Sequence, residues 1–305
     1  MHRVNPYFEA MRLGRWPRSL AIFSGVAAYF FLHRDSASTP PILWTFGQCA
    51  FAFFLTWGIS TANYIINEIA DAPFDIHHPT KRNRPLARGE IKKTPFLLWG
   101  ILLSFLSLSL AYIFFSLLFF ISLLALLIAG FMYNIRPIRT KDIPFLDSIS
   151  ESANNPIRFL IGWFAFSSAH LFPPLSLLMC WWFFGNFLMI SKRLSEYRLL
   201  KDKAENYRSS LSKYSIPSFV FGIILSGVLF FASYFIFAVS HKLQSFLYFS
   251  PFVFFYLFLF FWKTIKEKEV MEEPERLLVH PKFAIYTIFL VLLFSLSYFI
   301  DAIGK

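Results

Sequence analysis

The sequence predicts an all-α protein, a polytopic membrane helical bundle of about nine transmembrane helices, and three observations predict it. Of 305 residues, 56% are hydrophobic and 42 are Phe, while only 15% are charged, well below the roughly one quarter usual in soluble domains. Apolar runs long enough to cross a bilayer recur along the whole chain. Basic residues are dense in alternate connecting segments and sparse in the others, the pattern of a chain that threads a membrane repeatedly.

Taken in order, the runs place spans at roughly 16–33, 42–66, 95–114, 116–133, 149–168, 173–191, 217–239, 246–264 and 283–301. Arginines precede the first run, but no small-residue cleavage site follows it, so it reads as a span and not as a cleaved leader. The third and fourth divide near Phe115, because 95–133 is almost continuously apolar. With the N-terminus in the cytoplasm, 25 of the 29 Lys and Arg fall on inside segments; Arg34, Lys242 and Lys305 fall outside, and Arg158 lies within the fifth span. This predicts a multi-pass protein of the cytoplasmic membrane with its C-terminus outside. The net charge of +11 is then topology plus anion binding. Its spread over separate loops gives no reason to invoke nucleic acid. Cys49 and Cys180 fall inside spans and read as buried apolar residues, with no zinc or disulfide pattern around them. No linker or repeat interrupts the chain, so residues 1–305 read as a single domain.

One stretch does not read as topology. Residues Asn67 to Ile91 run NEIADAPFDIHHPTKRNRPLARGEI. Asn67, Asp71 and Asp75 stand at i, i+4 and i+8, which puts three oxygen donors on one helix face. Such a face suits Mg²⁺, which binds through one or two carboxylates and completes its shell with substrate phosphates and water. The basic run Lys81, Arg82, Arg84 and Arg88 can hold the phosphate oxygens that the metal leaves. Topology needs Lys and Arg but not carboxylates in register, and acidic residues at a membrane tend to be functional. The chemistry is that of a diphosphate leaving group at the mouth of a membrane protein. Of the two histidines in the stretch, His78 more readily shapes the turn with Pro79, and His77 has less to support it.

These residues resemble the first signature of the UbiA superfamily of intramembrane prenyltransferases, N-D-x-x-D-x-x-x-D followed by K-R-x-R-P-x-x-x-G. RLGRWPRSLAIF resembles the start of that family's first span, and nine spans is the family's count. Glu68 stands where the family usually has Asp. Pro73 lies inside the motif, where it is expected to kink or end the helix and leave Asp75 to be aimed by a loop. The second signature differs. Where typical members carry a D-x-x-x-D motif after the sixth span, this chain has Ser191-Lys192-Arg193-Leu194-Ser195-Glu196-Tyr197, followed by YRSSLSKYSIPSF from Tyr207 to Phe219. That is similar to the decaprenyl-phosphate phosphoribosyltransferase branch, with its K-R-x-x-E element followed by R-x-S-L-x-x-Y. The HPTKR wording, Ile157-Arg158 with Gly162, and Glu273-Pro274-Glu275 agree with that branch in order along the chain.

The resemblance implies a UbiA-like fold with a cytoplasm-facing site and a Mg²⁺-dependent membrane transferase. It would move 5-phosphoribose from phosphoribosyl diphosphate (PRPP) to a polyprenyl phosphate, with the lipid bilayer as its surroundings and room for a homo-oligomer. Asn67, Asp71 and Asp75 would hold the metal–diphosphate, with Asp71, Asp75 and Glu196 as the catalytic carboxylates. Lys81, Arg82, Arg84, Arg88, Arg158, Lys192 and Arg193 would bind phosphate groups. Lys192 and Glu196, at i and i+4, would share a helix face. Asp147 or Glu151 would orient Arg158, and Glu275 would help close the mouth. The alternative is prenyl transfer from a polyprenyl diphosphate to an aromatic or lipid acceptor, with a second metal held elsewhere, for instance by Asp202 with Glu205. A carrier or flippase for an anionic lipid is a third reading, which leaves the carboxylate register unexplained.

Overall fold

The computed structural model describes residues 5–33, 41–77, 80–167, 171–200, 208–266 and 281–303. Arg3, Arg34, His78, Asp202, Glu205, the Glu273-Pro274-Glu275 element and Lys305 lie outside them. The described residues form helices and turns with no strand. Six helices are long and apolar enough to cross a membrane: α3 (Ile42–Asp75), α4 (Lys93–Phe114), α5 (Leu117–Asn134), α8 (Leu175–Leu200), α10 (Ile216–Ser240) and α11 (Gln244–Lys266). The other three expected spans correspond to shorter or less apolar helices: α2 (Ile22–Leu32), α7 (Asn154–Phe164) and α12 (Pro281–Ile303). Three short α-helices, α1 (Pro6–Ala10), α6 (Leu146–Ser152) and α9 (Ser209–Ser212), and 3-10 segments at Leu13–Ala21, Lys81–Asn83 and Thr140–Asp142 complete the order.

The chain divides into two compact units. The first, Met1–Pro173 with Glu205–Ser210, carries α1 to α7. The division near Phe115 falls where expected. Phe115 adopts an extended backbone that ends α4, and the Ser116 side chain accepts the Phe119 N–H at 3.3 Å as the N-cap of α5. α3 runs nine residues past its expected end and passes through Pro73. The expectation that Pro73 ends the helix is therefore corrected. Pro73 forgoes one bond, from its missing N–H to the Ile69 carbonyl, and does so only two residues before the helix ends. Asp75 is consequently aimed by helical register with Asn67 and Asp71.

The fifth expected span is two helices, α6 and α7, that meet at Ala153. α7 packs on α2 with the backbones in close approach. A Cβ built on Gly25 would collide with the Phe159 carbonyl oxygen, and one built on Gly162 with that of Ile22. Gly162 is thus required by packing. Around the N-terminal segment, Ala10, Met11, Ile65, Ala72, Leu86, Ile91 and Phe96 form one buried apolar cluster. It fastens α1 and the 84–91 loop to the end of α3. Gly89 (φ +74) turns that loop in the left-handed region.

The second unit, Pro174–Ala204 with Leu211–Lys305, holds α8, α10, α11 and α12. α8 and α10 pack along their length, and Asn186 Nδ2 donates to Ser226 Oγ at 2.9 Å between them. Arg198 Nη1 donates to the Thr264 and Ile265 carbonyls at 2.9 and 3.0 Å, capping the last turn of α11. α8 reaches Leu200, so the Lys192–Glu196 segment is helical and lies beyond the expected end of that span.

Candidate active site

The first unit gathers charge at the C-terminal end of α3. Two carboxylates of the expected face are there, and each meets a cation. Asp71 Oδ1 is ion-paired with Lys141 Nζ, and Arg139 Nη2 lies 3.6 Å from the same oxygen. Asp75 Oδ2 is ion-paired with Arg84 Nη1. Glu68 is buried and pairs with Arg12, while Arg84 Nη1 stands 3.7 Å from it. Carboxylates taken from water need such partners to stay ionised. Asn67 is half-buried on the same face.

Lys141 comes from a turn, Thr140–Asp142, that follows α5, and Arg139 immediately precedes that turn. Asn134, at the end of α5, holds the Lys141 ammonium through its Oδ1 at 3.0 Å. Its Nδ2 donates to the Gly130 carbonyl at 2.9 Å. Arg139 donates to the Asn134 and Ala70 carbonyls at 3.2 and 3.4 Å, and its guanidinium sits 4.7 Å from the Phe74 ring centroid. The turn is therefore fixed to both helix ends. Burial pushes the Lys141 ammonium down to about 8 against the opposing pull of Asp71, and the charges of Arg139 and Arg208 push the same way as burial.

Arg208 adds a further cation. Its Nη1 donates to the Tyr133 hydroxyl at 3.2 Å and lies 3.7 Å from Asp147 Oδ2. Tyr133 in turn donates to Glu151 Oε2 at 2.8 Å. Asp147 is fully buried and accepts from Ser210 Oγ at 3.3 Å and from the Ser148 N–H at 2.9 Å. Asp147 and Glu151, expected to orient Arg158, are thus tied to Arg208. Arg158 is half-buried, in the second turn of α7.

The remaining basic residues of the first motif separate. Lys81 is half-buried on a one-turn helix, Lys81–Asn83, and its charge acts on Asp75. Arg82 on the same turn is exposed. Arg88 is exposed as well and pairs with Glu90 at 3.0 Å, an exposed contact that the structure does not join to the carboxylates. In the second unit, Lys192 is half-buried. Glu196 pairs with Arg193 at 2.7 Å, both buried, on the same helix as Lys192.

Sequence reasoning missed Arg12, Arg139, Lys141 and Arg208 as partners of these groups. The available signals were the KD pair after Tyr133-Asn134 and the Arg of the R-x-S-L element. The donor set fits a hard divalent cation. Asn67, Asp71 and Asp75 offer only oxygen, and Asp75 Oδ1 is buried with no hydrogen-bond partner among the described residues. No group of three or more His, Cys, Asp and Glu forms a metal cage among the described residues. Magnesium held partly by substrate phosphates needs no such cage.

The solved structure of a UbiA homolog from Archaeoglobus fulgidus bound to GPP and Mg²⁺ matches with a TM-score of 0.68 at 18% identity, covering 96% of this chain and 99% of that chain. Another structure of a homolog from that organism gives 0.69 at 17% identity, covering 96% and 99%. A structure of digeranylgeranylglyceryl phosphate synthase in membranes gives 0.61 at 19% identity, covering 98% of both chains. At these identities the likeness is one of fold. Among curated proteins, the uncharacterized protein y4nM of Sinorhizobium fredii is 35% identical over 91 residues, which span 30% of this chain and only 16% of that relative's length. The model of the UbiA prenyltransferase family matches residues 21–293, and the chain belongs to that family.

Proposed function

We propose that the protein transfers 5-phosphoribose from PRPP to a polyprenyl phosphate at the cytoplasmic face of the membrane, with Mg²⁺. The observation that carries a diphosphate-leaving chemistry is the end of α3. There Asp71 and Asp75 share one helix face, and Arg84, Arg139 and Lys141 surround them. Carboxylates for a metal beside cations for phosphate oxygens suit a multiply charged diphosphate. Magnesium, when bound by Asn67, Asp71 and Asp75, supplies neutralisation of the leaving group's charge.

The anomeric C–O bond to diphosphate breaks, and its electron pair leaves with the diphosphate. An oxygen of the lipid phosphate forms the new bond to that carbon. This oxygen is already ionised, so no strong general base is needed. Arg84, Lys141 and Arg139 orient and neutralise phosphate oxygens, and Lys81 and Arg82 add to the field. Arg88 contributes least, since its charge is matched at the surface by Glu90. Arg158 keeps the phosphate-binding role that the resemblance implies.

The choice of PRPP over a prenyl diphosphate rests on α8. The second acidic motif of prenyl transfer is replaced there by Lys192, Arg193 and Glu196, and the single carboxylate is already bonded to Arg193. A ribosyl donor with an additional phosphate needs cations and hydrogen-bonding groups more than a second metal. The competing reading is prenyl transfer, favoured by the fold likeness to a homolog whose structure holds GPP and Mg²⁺.

Purified protein with Mg²⁺ and a polyprenyl phosphate is given labelled PRPP in one tube. A second tube receives a labelled prenyl diphosphate and aromatic acceptors. Label entering the lipid phase from PRPP alone supports phosphoribosyl transfer. Label moving from the prenyl diphosphate alone replaces this reading with prenyl transfer.

A further inference from the structure

Four charged side chains form a line through the end of α3. Arg12 Nη2 pairs with Glu68 Oε2, which lies 3.7 Å from Arg84 Nη1, and that nitrogen pairs with Asp75 Oδ2. Glu68 and Asp75 are each 1% exposed. The formal charges along the line cancel. Asp75 keeps its other oxygen, Oδ1, buried and without a hydrogen-bond partner among the described residues.

Arg12 comes from outside the motif. It sits in the left-handed region (φ 53, ψ 41) just after α1. α1 is fastened independently of charge: Ala10 and Met11 pack with Leu86 and Ile91, and the Tyr7 hydroxyl accepts the Lys92 N–H at 3.3 Å. The N-terminal segment and the loop carrying Arg84 are therefore one packed piece, and it presents Arg12 to Glu68.

By spacing alone Glu68 is as good a ligand as its neighbours, being at i−3 from Asp71 and i−7 from Asp75. The line of charges distinguishes it. A cation on Glu68 would displace Arg12 and leave a half-buried guanidinium without its counter-charge, which is unfavourable. A cation on Asp75 Oδ1 displaces nothing.

We infer that Glu68 is a positioning residue and not a metal ligand: neutralised by Arg12 of the N-terminal segment, it holds Arg84 on Asp75 Oδ2 and so reserves Oδ1 for the cation. This rests on the metal-site reading above.

The test reads the Mg²⁺ concentration for half-maximal thermal stabilisation of the intact protein in detergent. E68Q leaves one uncompensated positive charge beside the site and is expected to weaken Mg²⁺ affinity by about tenfold or more. R12Q/E68Q restores the charge balance and is expected to recover affinity to within about threefold of the parent chain. A ligand role predicts the reverse for the double variant, which would then bind as poorly as E68Q; that result overturns the inference. Should E68Q not fold, R12Q/E68Q decides alone, since retained Mg²⁺ stabilisation supports positioning and its loss overturns it. Absence of any Mg²⁺ stabilisation in the parent chain overturns the metal-site reading, and this inference with it.

Discussion

Lys141 is ion-paired with Asp71 across 70 positions of sequence, and Asn134 holds the same ammonium at 3.0 Å. A residue from the turn after α5 thereby occupies a carboxylate that the sequence assigns to a metal. The pairing gives a carboxylate near the end of a membrane-length helix the counter-charge it needs.

Asp71→Ala is expected to lower turnover by at least about 100-fold, because it removes a carboxylate that would hold the metal neutralising the leaving group. The protein should still fold and insert. Lys141 keeps Asn134 as an acceptor, and losing Asp71 removes the pull that holds its ammonium up against burial, so the lysine sheds its charge more easily. Near-normal turnover in a folded variant would place the metal–diphosphate elsewhere.

The same lysine sets a pH dependence in the magnesium-free protein. Its ammonium falls from 10.5 to about 8 on folding, chiefly through burial. Between those values the unfolded chain holds a proton that the folded chain has released. Stability therefore rises with pH across that window and loses this contribution below about pH 8. Melting temperatures at pH 7.5 and 9.5 should show the rise in the parent chain and a smaller rise in Lys141→Met.

Arg208→Ala leaves the fully buried Asp147 without its facing guanidinium. A destabilisation of about 3 kcal/mol is expected. Arg208→Ala/Asp147→Asn should recover a large part of it, since the carboxylate charge that Arg208 faced is then removed as well. Denaturant midpoints in mixed micelles measure both, and equal loss in the two variants would contradict the pairing.

Gly162→Ala drives a methyl group into the Ile22 carbonyl. Helices α2 and α7 must separate, at a cost of about 3 kcal/mol. Gly14, which has open space where a Cβ would stand, is the control. Gly14→Ala should melt close to the parent temperature in the same scan.

Arg84→Ala and Arg88→Ala, four residues apart, should part company. The first frees Asp75 Oδ2 and is expected to reduce turnover by about 100-fold. The second removes an exposed ion pair with Glu90 and should change turnover by less than about threefold. Comparable losses would mean that Arg88 meets substrate.

The apolar runs made the helices legible, because a bilayer demands length and hydrophobicity and little else. Even the break at Phe115 could be placed, and Ser116 supplies its cap. The ends were less legible. α3 and α8 continue past their apolar parts into polar sequence, where hydropathy carries no signal. The Asn67, Asp71 and Asp75 face was readable because helical register is a local property. Its partners were not. Arg12, Lys141 and Arg208 are brought to it by tertiary packing, and the short motifs around Lys141 and Arg208 do not say which carboxylate each will meet. Arg88 shows the converse, since its membership in a motif did not decide where its side chain would point.

The length of α3 has a mechanical consequence. Its 34 residues make a rod of about 51 Å, against a hydrocarbon thickness of about 30 Å. Tilted by about 40°, the rod still covers about 39 Å. At that tilt each residue advances about 1.15 Å along the normal, so roughly eight residues would stand clear of the oily slab, enough to include Asp71 and Asp75 where the excess lies at the C-terminal end. An acidic tip so placed would be a post of set height in the headgroup layer. A lipid phosphate can be met at that altitude with its hydrocarbon chain still dissolved among the tails, so nothing need be hoisted into water. Bilayer thickness becomes a dial on the enzyme, because a thicker leaflet would draw the post under.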